Sequence, residues 1–484
     1  MDWVAVLTEV RIWVVGALTL LAAVSTSGHA ILHKRDTRSA VAWVGLIWFA
    51  PVVGSILYVM FGINRIRRTA TALRVQAPRL SGGFAQLATA DTVLDVLPAR
   101  DAHLVSLGRL VDQVTRRPLT TGNALSLLVD GDAAYGAMLE AIAGARETIA
   151  LATYIFDDDA AGREFLDALR AAHVRGVQVR VLLDAVGARY SWPPADRYLR
   201  QHGVPVARFL PTHAPWRAPF LNLRNHRKIL VVDGTTGFTG GMNIRVGHVL
   251  SRDPRRPVRD IHFRIEGPVV RHLMEVFAED WAFTTRELLA GPKWFPALQP
   301  AGSAVARGIS DGPDEDFEQL YWAVDGAIST AARRVLLATP YFLPDQSLIR
   351  ALIVTAMRGV QVRILLPAAN NLPVVAWAAQ AQLWQLVKRR VEVRQSPGVF
   401  DHSKLMVVDD AWTLVGSANI DPRSLRLNFE FNVEAYDPAF GAHMAQWFEE
   451  RWATATPVTG AWLDHRPLWM QLRDGVARLA SPFL

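Results

Sequence analysis

Two segments of the chain carry almost the same phrase of reactive side chains. His226-x-Lys228-x-x-x-x-Asp233 leads to Gly240-Gly241-x-Asn243, and His402-x-Lys404-x-x-x-x-Asp409 leads to Gly416-Ser417-x-Asn419. Imidazole, ammonium and carboxamide are the groups needed to attack, neutralise and hold a phosphate diester. One His-x-Lys pair on a strand is commonly a surface accident, whereas two copies matched in register are not. Residues two apart on a strand share a face, so His226 projects with Lys228, and His402 with Lys404. The apolar residues that follow, Ile229–Val232 and Leu405–Val408, read as buried strand that holds each pair rigid.

Two histidines suit a two-step displacement. One neutral imidazole attacks phosphorus. The other, protonated, donates to the departing alkoxide and then takes a proton from the incoming alcohol. Lys228, Lys404, Asn243, Asn419 and Ser417 are assigned to the phosphate oxygens. The two ammonium groups supply the charge, so neither a metal nor another cofactor is expected. A histidine nucleophile needs a carboxylate on its far nitrogen, and Asp260 and Glu430 lie downstream of the two phrases. Asp233 and Asp409 complete the catalytic phrase, although their turn positions, Asp233-Gly234 and Asp409-Asp410, suit them to bracing loops. His248 and His262, with the scattered His29, His33 and His103, are read as structural. Neither phrase is a complete site. One His, one Lys and one Asn from each are expected to build a single pocket on a pseudo-twofold axis.

The elements that position these groups also repeat. Leu151-Ala-Thr-Tyr-Ile-Phe156 is echoed by Leu337-Ala-Thr-Pro-Tyr-Phe342, and Arg175-Gly-Val-Gln-Val-Arg180 recurs as Arg358-Gly-Val-Gln-Val-Arg363. Val179–Leu183 and Val362–Leu366 read as buried strands, with helices at Ala160–Ala172 and Gln346–Met357 at crossover length. The expected fold is α/β: two pseudo-twofold copies of one domain, at 121–290 and 311–484, with mixed sheets flanked by helices. The Pro- and Gly-bearing 291–310 reads as a linker, and 64–120 as a juxtamembrane connector.

The chain has 484 residues, a net charge of +7 and no cysteine, which excludes disulfides and thiolate metal sites. The basic balance suits an anionic partner. Residues 12–32 and 40–63 contain no Asp, Glu, Lys or Arg, and each run is long enough to cross a hydrocarbon core. Residues 1–63 are therefore expected to form a transmembrane helical hairpin, kinked in its second span at Pro51 and Gly54. A cleaved signal peptide fits poorly, because Asp2 and Glu9 precede the first run and a second follows at once. The basic residues of the outer flanks put both ends, and the catalytic domains, on the cytoplasmic side. The tail carrying Trp462 and Trp469 reads equally as an interfacial helix or as a packed C-terminal helix.

At the doubled His-Lys-Asp phrase the chain resembles the phospholipase D superfamily, and within it the bacterial cardiolipin synthases. The narrower resemblance rests on Phe61-Gly62-Ile-Asn64, Gly240-Gly-Met-Asn-Ile244, Arg259-Asp-Ile-His262, Glu266-Gly-Pro268, Thr339-Pro-Tyr-Phe342, Gly416-Ser-Ala-Asn-Ile-Asp421 and Asn428-Phe-Glu430. It covers about nine-tenths of the chain by extent of these motifs. It implies a multi-pass enzyme of the bacterial inner membrane that acts on phosphatidylglycerol and other anionic phospholipids. The implied reaction joins two phosphatidylglycerol molecules into cardiolipin with release of glycerol, the first-motif histidine being the nucleophile. One departure stands out: Arg245-Val-Gly-His248 follows Asn243-Ile244, where the family pattern has an acidic and aromatic loop. The acceptor is thus left open between phosphatidylglycerol, phosphatidylethanolamine and another alcohol. A hydrolase passing the phosphatidyl group to water is the second reading. A nuclease is the third, opposed by the hairpin and by the lack of a basic-aromatic binding face, so no nucleic-acid partner is expected. Oligomeric state is not legible.

Overall fold

The computed structural model describes residues 3–34, 37–62, 87–211, 223–313 and 316–481. Contacts divide the chain into an N-terminal unit and a larger one that comprises Thr71–Thr212 and Asn222–Leu484.

The N-terminal unit is built on helix α1, Trp3–His33. Its stretch Leu7–His33 is long and apolar enough to cross a membrane. The second apolar run differs from the expected single span. It forms α2 (Thr37–Phe49), α3 (Pro51–Leu57) and a π turn, Tyr58–Gly62. Pro51 brings no N–H and its ring clashes with the preceding turn, which breaks the helix there. The pieces pack back on α1 through Ala23, Ala30, Ile47 and Tyr58. Two polar contacts tie them together: Thr26 Oγ1 to Ser55 Oγ at 3.1 Å and His29 Nδ1 to Tyr58 Oη at 2.8 Å. Residue 63, the end of the expected second span, and residues 64–86 of the expected connector lie outside the described residues. The rest of that connector includes helix α4, Val105–Val114, which packs in one core with α6 (Gln319–Thr330).

The larger unit is organised by one 16-stranded sheet. Its first seven main strands are β1 (Leu119–Val129), β2 (Thr148–Thr153), β3 (Gln178–Asp184), β4 (Val206–Phe209), β5 (Ile229–Val232), β6 (Thr236–Gly240) and β7 (Ile261–Glu266). Seven more repeat them: β8 (Ala304–Asp311), β9 (Arg334–Ala338), β10 (Gln361–Pro367), β11 (Glu392–Ser396), β12 (Leu405–Val408), β13 (Trp412–Gly416) and β14 (Glu430–Tyr436). The order across the sheet is β4-β3-β2-β5-β6-β7-β1-β8-β14-β13-β12-β9-β10-β11. Read from either edge, the strands correspond one to one. Leu87–Ala88 and Thr456–Pro457 add two short strands, on β1 and β11 respectively.

Within each half the two outer pairings are parallel and the rest antiparallel. Parallel neighbours need a helical crossover. The first half supplies α5 (Ala160–Val174), and the second supplies α7 (Gln346–Met357) and α8 (Pro373–Val387). Asp159 and Asp345 cap α5 and α7 by accepting two backbone N–H bonds each, satisfying donors that have no partner in the first turn. The last helix, α9, spans Leu468–Leu479. Each half has its own apolar core.

The halves meet where β8 pairs antiparallel with β1, across a register irregularity between Ala304 and Ala306. Residues 304–310, expected to end a linker, therefore form a central buried strand with Asp311, the expected start of the second copy. Its alanines, glycine and serine hide the alternation by which a strand is recognised. The two copies share one sheet, and the site is held at a continuous seam.

Candidate active site

The His-x-Lys pairs stand just before β5 and β12, beside the first residues of β7 and β14. Backbone bonds cross between the halves here. The N–H of His226 donates to the carbonyl of Phe429 at 2.9 Å, and that of His402 to the carbonyl of Arg259 at 2.7 Å. The next residue after each acceptor is a carboxylate that takes the ring. His226 Nδ1 lies 3.0 Å from Glu430, and His402 Nδ1 lies 2.8 Å from Asp260. All four side chains are buried. Each histidine is thus oriented by the carboxylate of the other half. A carboxylate on Nδ1 fixes the tautomer with its proton there and turns the Nε2 lone pair outward. Tyr154 and Tyr341 set their rings against His226 and His402, with centroids 5.2 and 5.9 Å apart.

Lys228 and Lys404 each donate to the carbonyl of their own histidine at 2.6 Å. Their surroundings differ. Lys404 Nζ also lies 3.0 and 3.2 Å from the two ring nitrogens of His402. Lys228 sits over the Tyr154 ring, 5.6 Å from its centroid. His226 Nε2 consequently has no bond to a protein group among the described residues, whereas His402 Nε2 has Lys404 beside it.

Burial governs the charge of this cluster. It lowers Lys228 to about 7, with Glu430 opposing and Lys404 adding to the effect. It lowers Lys404 to about 8 against the pull of Asp260. Burial, then Lys404 and Lys228, holds His402 well below the ordinary imidazole value. His226 is lowered too, by burial against the attraction of Glu430. The carboxylates diverge: Asp260 is raised to about 6 by burial. Glu430 is held low because His226, Lys228 and Ser417 together outweigh its burial. Removing charges from water favours their neutral forms, so burial biases these imidazoles and lysines toward neutrality.

Asn243 and Asn419 follow the turns after β6 and β13. Asn243 Oδ1 accepts from the Ile155 N–H at 3.1 Å. Asn419 Nδ2 is 3.2 Å from Ser424 Oγ, and its Oδ1 has no partner among the described residues. Ser417, expected on the phosphate, is spent elsewhere. Its hydroxyl donates to Glu430 at 2.5 Å and accepts from the Phe431 N–H at 3.0 Å. The corresponding Gly241 leaves room for Asp260, since a Cβ there would lie 2.3 Å from Oδ1. A hydroxyl steadies the longer Glu430; an absent side chain admits the shorter Asp260.

Asp233 and Asp409, counted with the catalytic phrase, are not among the groups around the histidines. They stand past the far ends of β5 and β12, with a four-residue strand, roughly 13 Å, in between. The Asp233 carboxylate accepts the N–H groups of Arg146, Glu147 and Thr148. Asp409 accepts those of Ala332, Arg333 and Arg334 together with His103 Nε2. Both have left-handed backbones, φ 51° and 54°, which aspartate tolerates better than most residues. His248 and His262 are buried and neutral, each lowered to about 3 by burial. No cluster of three His, Asp or Glu side chains suited to a metal ion occurs among the described residues.

Three side chains, Tyr154, Tyr341 and Arg227, are not singled out by the spacing of the motifs. The tyrosines lie in the repeated Leu-Ala-Thr segments, whose recurrence was a usable signal. Arg227 stands between His226 and Lys228 and so points away from them. Its buried guanidinium binds Asp280 at 2.5 Å, the Glu430 carbonyl at 3.1 Å and the Asp311 carbonyl at 3.3 Å. It thereby bolts the first phrase to the second half.

Two half-sites on a duplicated mixed sheet, each with His, Lys and Asn, define a phospholipase D-like enzyme. A family model described as cardiolipin synthase, PLD-like domain, matches residues 138–281 and 324–452. A second, described as phospholipase D-nuclease N-terminal, matches 17–62. Cardiolipin synthase A of Pseudomonas entomophila strain L48 is 34% identical over 474 residues, 98% of each chain. That of Pseudomonas fluorescens strain SBW25 is 34% identical over 458 residues, 94% of this chain and 95% of the relative. Among solved structures, phosphatidylserine synthase of Haemophilus influenzae Rd KW20 superposes with a TM-score of 0.58 at 16% identity, covering 78% of this chain and 100% of that one; the likeness is one of fold. The chain belongs to the cardiolipin synthase family of phospholipase D-like phosphatidyltransferases. It is a membrane-associated enzyme of phospholipid synthesis.

Proposed function

We propose that the enzyme transfers a phosphatidyl group from one phosphatidylglycerol to a hydroxyl of a second, forming cardiolipin and releasing glycerol. In the first step His226 Nε2 attacks phosphorus. The bond from phosphorus to the glycerol headgroup oxygen breaks, and His402, protonated once the anion is bound, gives that oxygen its proton. In the second step the acceptor hydroxyl attacks the phosphohistidine and loses its proton to His402. The phosphorus–nitrogen bond breaks and His226 is restored. Lys228 and Lys404 neutralise the non-bridging oxygens. Asn243 already directs its oxygen inward to Ile155, which leaves its Nδ2 for the same task. Turning the Asn419 amide by half a rotation gives it the same arrangement, with Ser424 donating to Oδ1.

The crossed pairing of each histidine with the other half's carboxylate carries this reading, because it builds one pocket from two incomplete halves. The uncovered His226 Nε2 and its fully charged Glu430 favour His226 as nucleophile. His402, beside Lys404 and the readily protonated Asp260, suits proton transfer. We also assign Thr37–Gly62 to a second membrane crossing, with the catalytic unit on the cytoplasmic face of a bacterial inner membrane. The flanking arginines Arg65, Arg67, Arg68 and Arg74 support that side.

The test is to reconstitute the protein with headgroup- and acyl-labelled phosphatidylglycerol and to resolve the products. Cardiolipin with one glycerol per turnover is expected. Phosphatidic acid as the main product would make the enzyme a hydrolase. Cardiolipin formed only with phosphatidylethanolamine present would change the acceptor.

A further inference from the structure

Helix α9 has two unlike faces. Inward, Ala477 joins an apolar cluster with Val375, Ala378 and Ala379 of α8, and this cluster includes Tyr341 and Phe400. Those two rings flank His402, at 5.9 and 5.8 Å between centroids. Asp474, also buried, is held by Arg466 and Arg473. Outward, Leu468, Trp469, Leu472, Val476 and Leu479 are 59–80% exposed. At helical spacing these five fall within an arc of about 100°, the width of an apolar stripe that buries against something. Trp384 of α8 is exposed as well, one turn before the exposed Lys388, Arg389 and Arg390. Arg473 stands over both Trp377 and Trp469, 4.4 and 5.5 Å from the ring centroids.

We propose that the outer face of α9, with Trp384, docks in the interface of an anionic bilayer and opens the His402 side of the pocket to lipid. Tryptophans beside arginines and lysines at the edge of a leucine stripe match a headgroup boundary: aliphatic side chains enter the acyl region, indoles sit at the carbonyl level, and cations meet phosphates. The same chain carries α1, long enough to span a membrane, so the catalytic unit works tethered to a bilayer. The choice of bilayer over protein partner rests on the lipid substrate proposed above and on the exposed Arg389 and Arg390, beside a Lys388 that is paired with Asp464 at 3.1 Å. Helix α9 and the two rings beside His402 share one apolar cluster, which links the docked face to that side of the site.

The chain has no cysteine, so a single label reports one position. Leu472→Cys and, on the polar flank, Gln471→Cys would each be labelled with an environment-sensitive fluorophore in the full-length protein. Both would be reconstituted into phosphatidylglycerol–phosphatidylethanolamine vesicles carrying doxyl lipids. The expected result is strong quenching at 472 and weak quenching at 471, whatever reaction the enzyme catalyses. Equal, weak quenching at both positions would overturn the proposal. So would a 472 label that is shielded without lipid and cross-links between copies in detergent, which would assign the face to a second molecule. Leu472→Asp with Val476→Asp should lower turnover on vesicles about tenfold while leaving turnover on mixed micelles nearly unchanged; equal loss on both would also contradict it.

Discussion

His402 is oriented by Asp260, which precedes it by 142 residues, across a 2.8 Å contact between their buried side chains. Glu430 does the same for His226 from the opposite direction. The duplicated halves are therefore interlocked at the site, since each imidazole bonds a carboxylate of the other half.

Asp260→Asn and Glu430→Gln keep the shape and remove the charge. Each should reduce kcat by up to about 10⁴-fold, the loss seen when a triad histidine loses its orienting carboxylate. Glu430→Gln should slow formation of the covalent intermediate in a single-turnover experiment. Asp260→Asn should slow transfer of a poor leaving group more than that of an activated one. Wild-type rates in either variant would remove the carboxylates from the mechanism.

The lysines set a pH limit. Lys228 is lowered to about 7 and Lys404 to about 8, so both are charged below these values and lose their protons as pH rises through them. Binding an anion favours the charged forms. Thus kcat/KM for the lipid donor should fall as pH rises from 7 through 8, with a limiting slope steeper than one proton. Donor binding near pH 8 should take up protons, measurable from the buffer dependence of the binding heat. A kcat/KM that stays flat to pH 10 would contradict this.

Arg227 predicts a stability effect. Its guanidinium is fully buried between Asp280 and the Glu430 and Asp311 carbonyls. Arg227→Met leaves Asp280 buried without its charged partner, holding only the Asn225 amide at 2.9 Å, and should cost about 3–5 kcal/mol. Thermal unfolding of the detergent-solubilised protein would show it as a lowered Tm.

Asp233 and Asp409 should behave as braces. Asp233→Ala removes the acceptor of three backbone N–H groups, two of them at the surface, and should destabilise by about 1 kcal/mol, while kcat per folded molecule changes little. A large fall in kcat at unchanged Tm would return Asp233 to the chemistry.

The histidines, lysines and asparagines were legible because short spacing within one strand and turn fixes which face each occupies. The strands Val179–Leu183 and Val362–Leu366 were legible because apolar runs of that length have few alternatives. What crosses between the halves was less so. That Asp260 serves His402 rather than His226 depends on how β7 and β12 meet in space, which no local spacing encodes. Ser417 looked like a phosphate ligand by its place after the glycine. It became a support for Glu430 because that carboxylate is one carbon longer than Asp260. The strand at Ala304–Asp311 stayed hidden because its small residues follow a Pro-rich stretch. Arg227 was passed over because its neighbours carry the chemistry.

The covalent intermediate is the most direct test. His402→Ala would be given a labelled phosphatidyl donor whose leaving group needs no proton, then quenched, digested and mapped. Label on the peptide containing His226, with none in His226→Ala, is the predicted result, because His226 supplies the nitrogen that holds phosphorus while His402 only moves protons. Label on the Phe400–Asp409 peptide of the wild-type enzyme would reverse the two roles. No covalent label in any variant, with products still formed, would contradict the two-step mechanism itself.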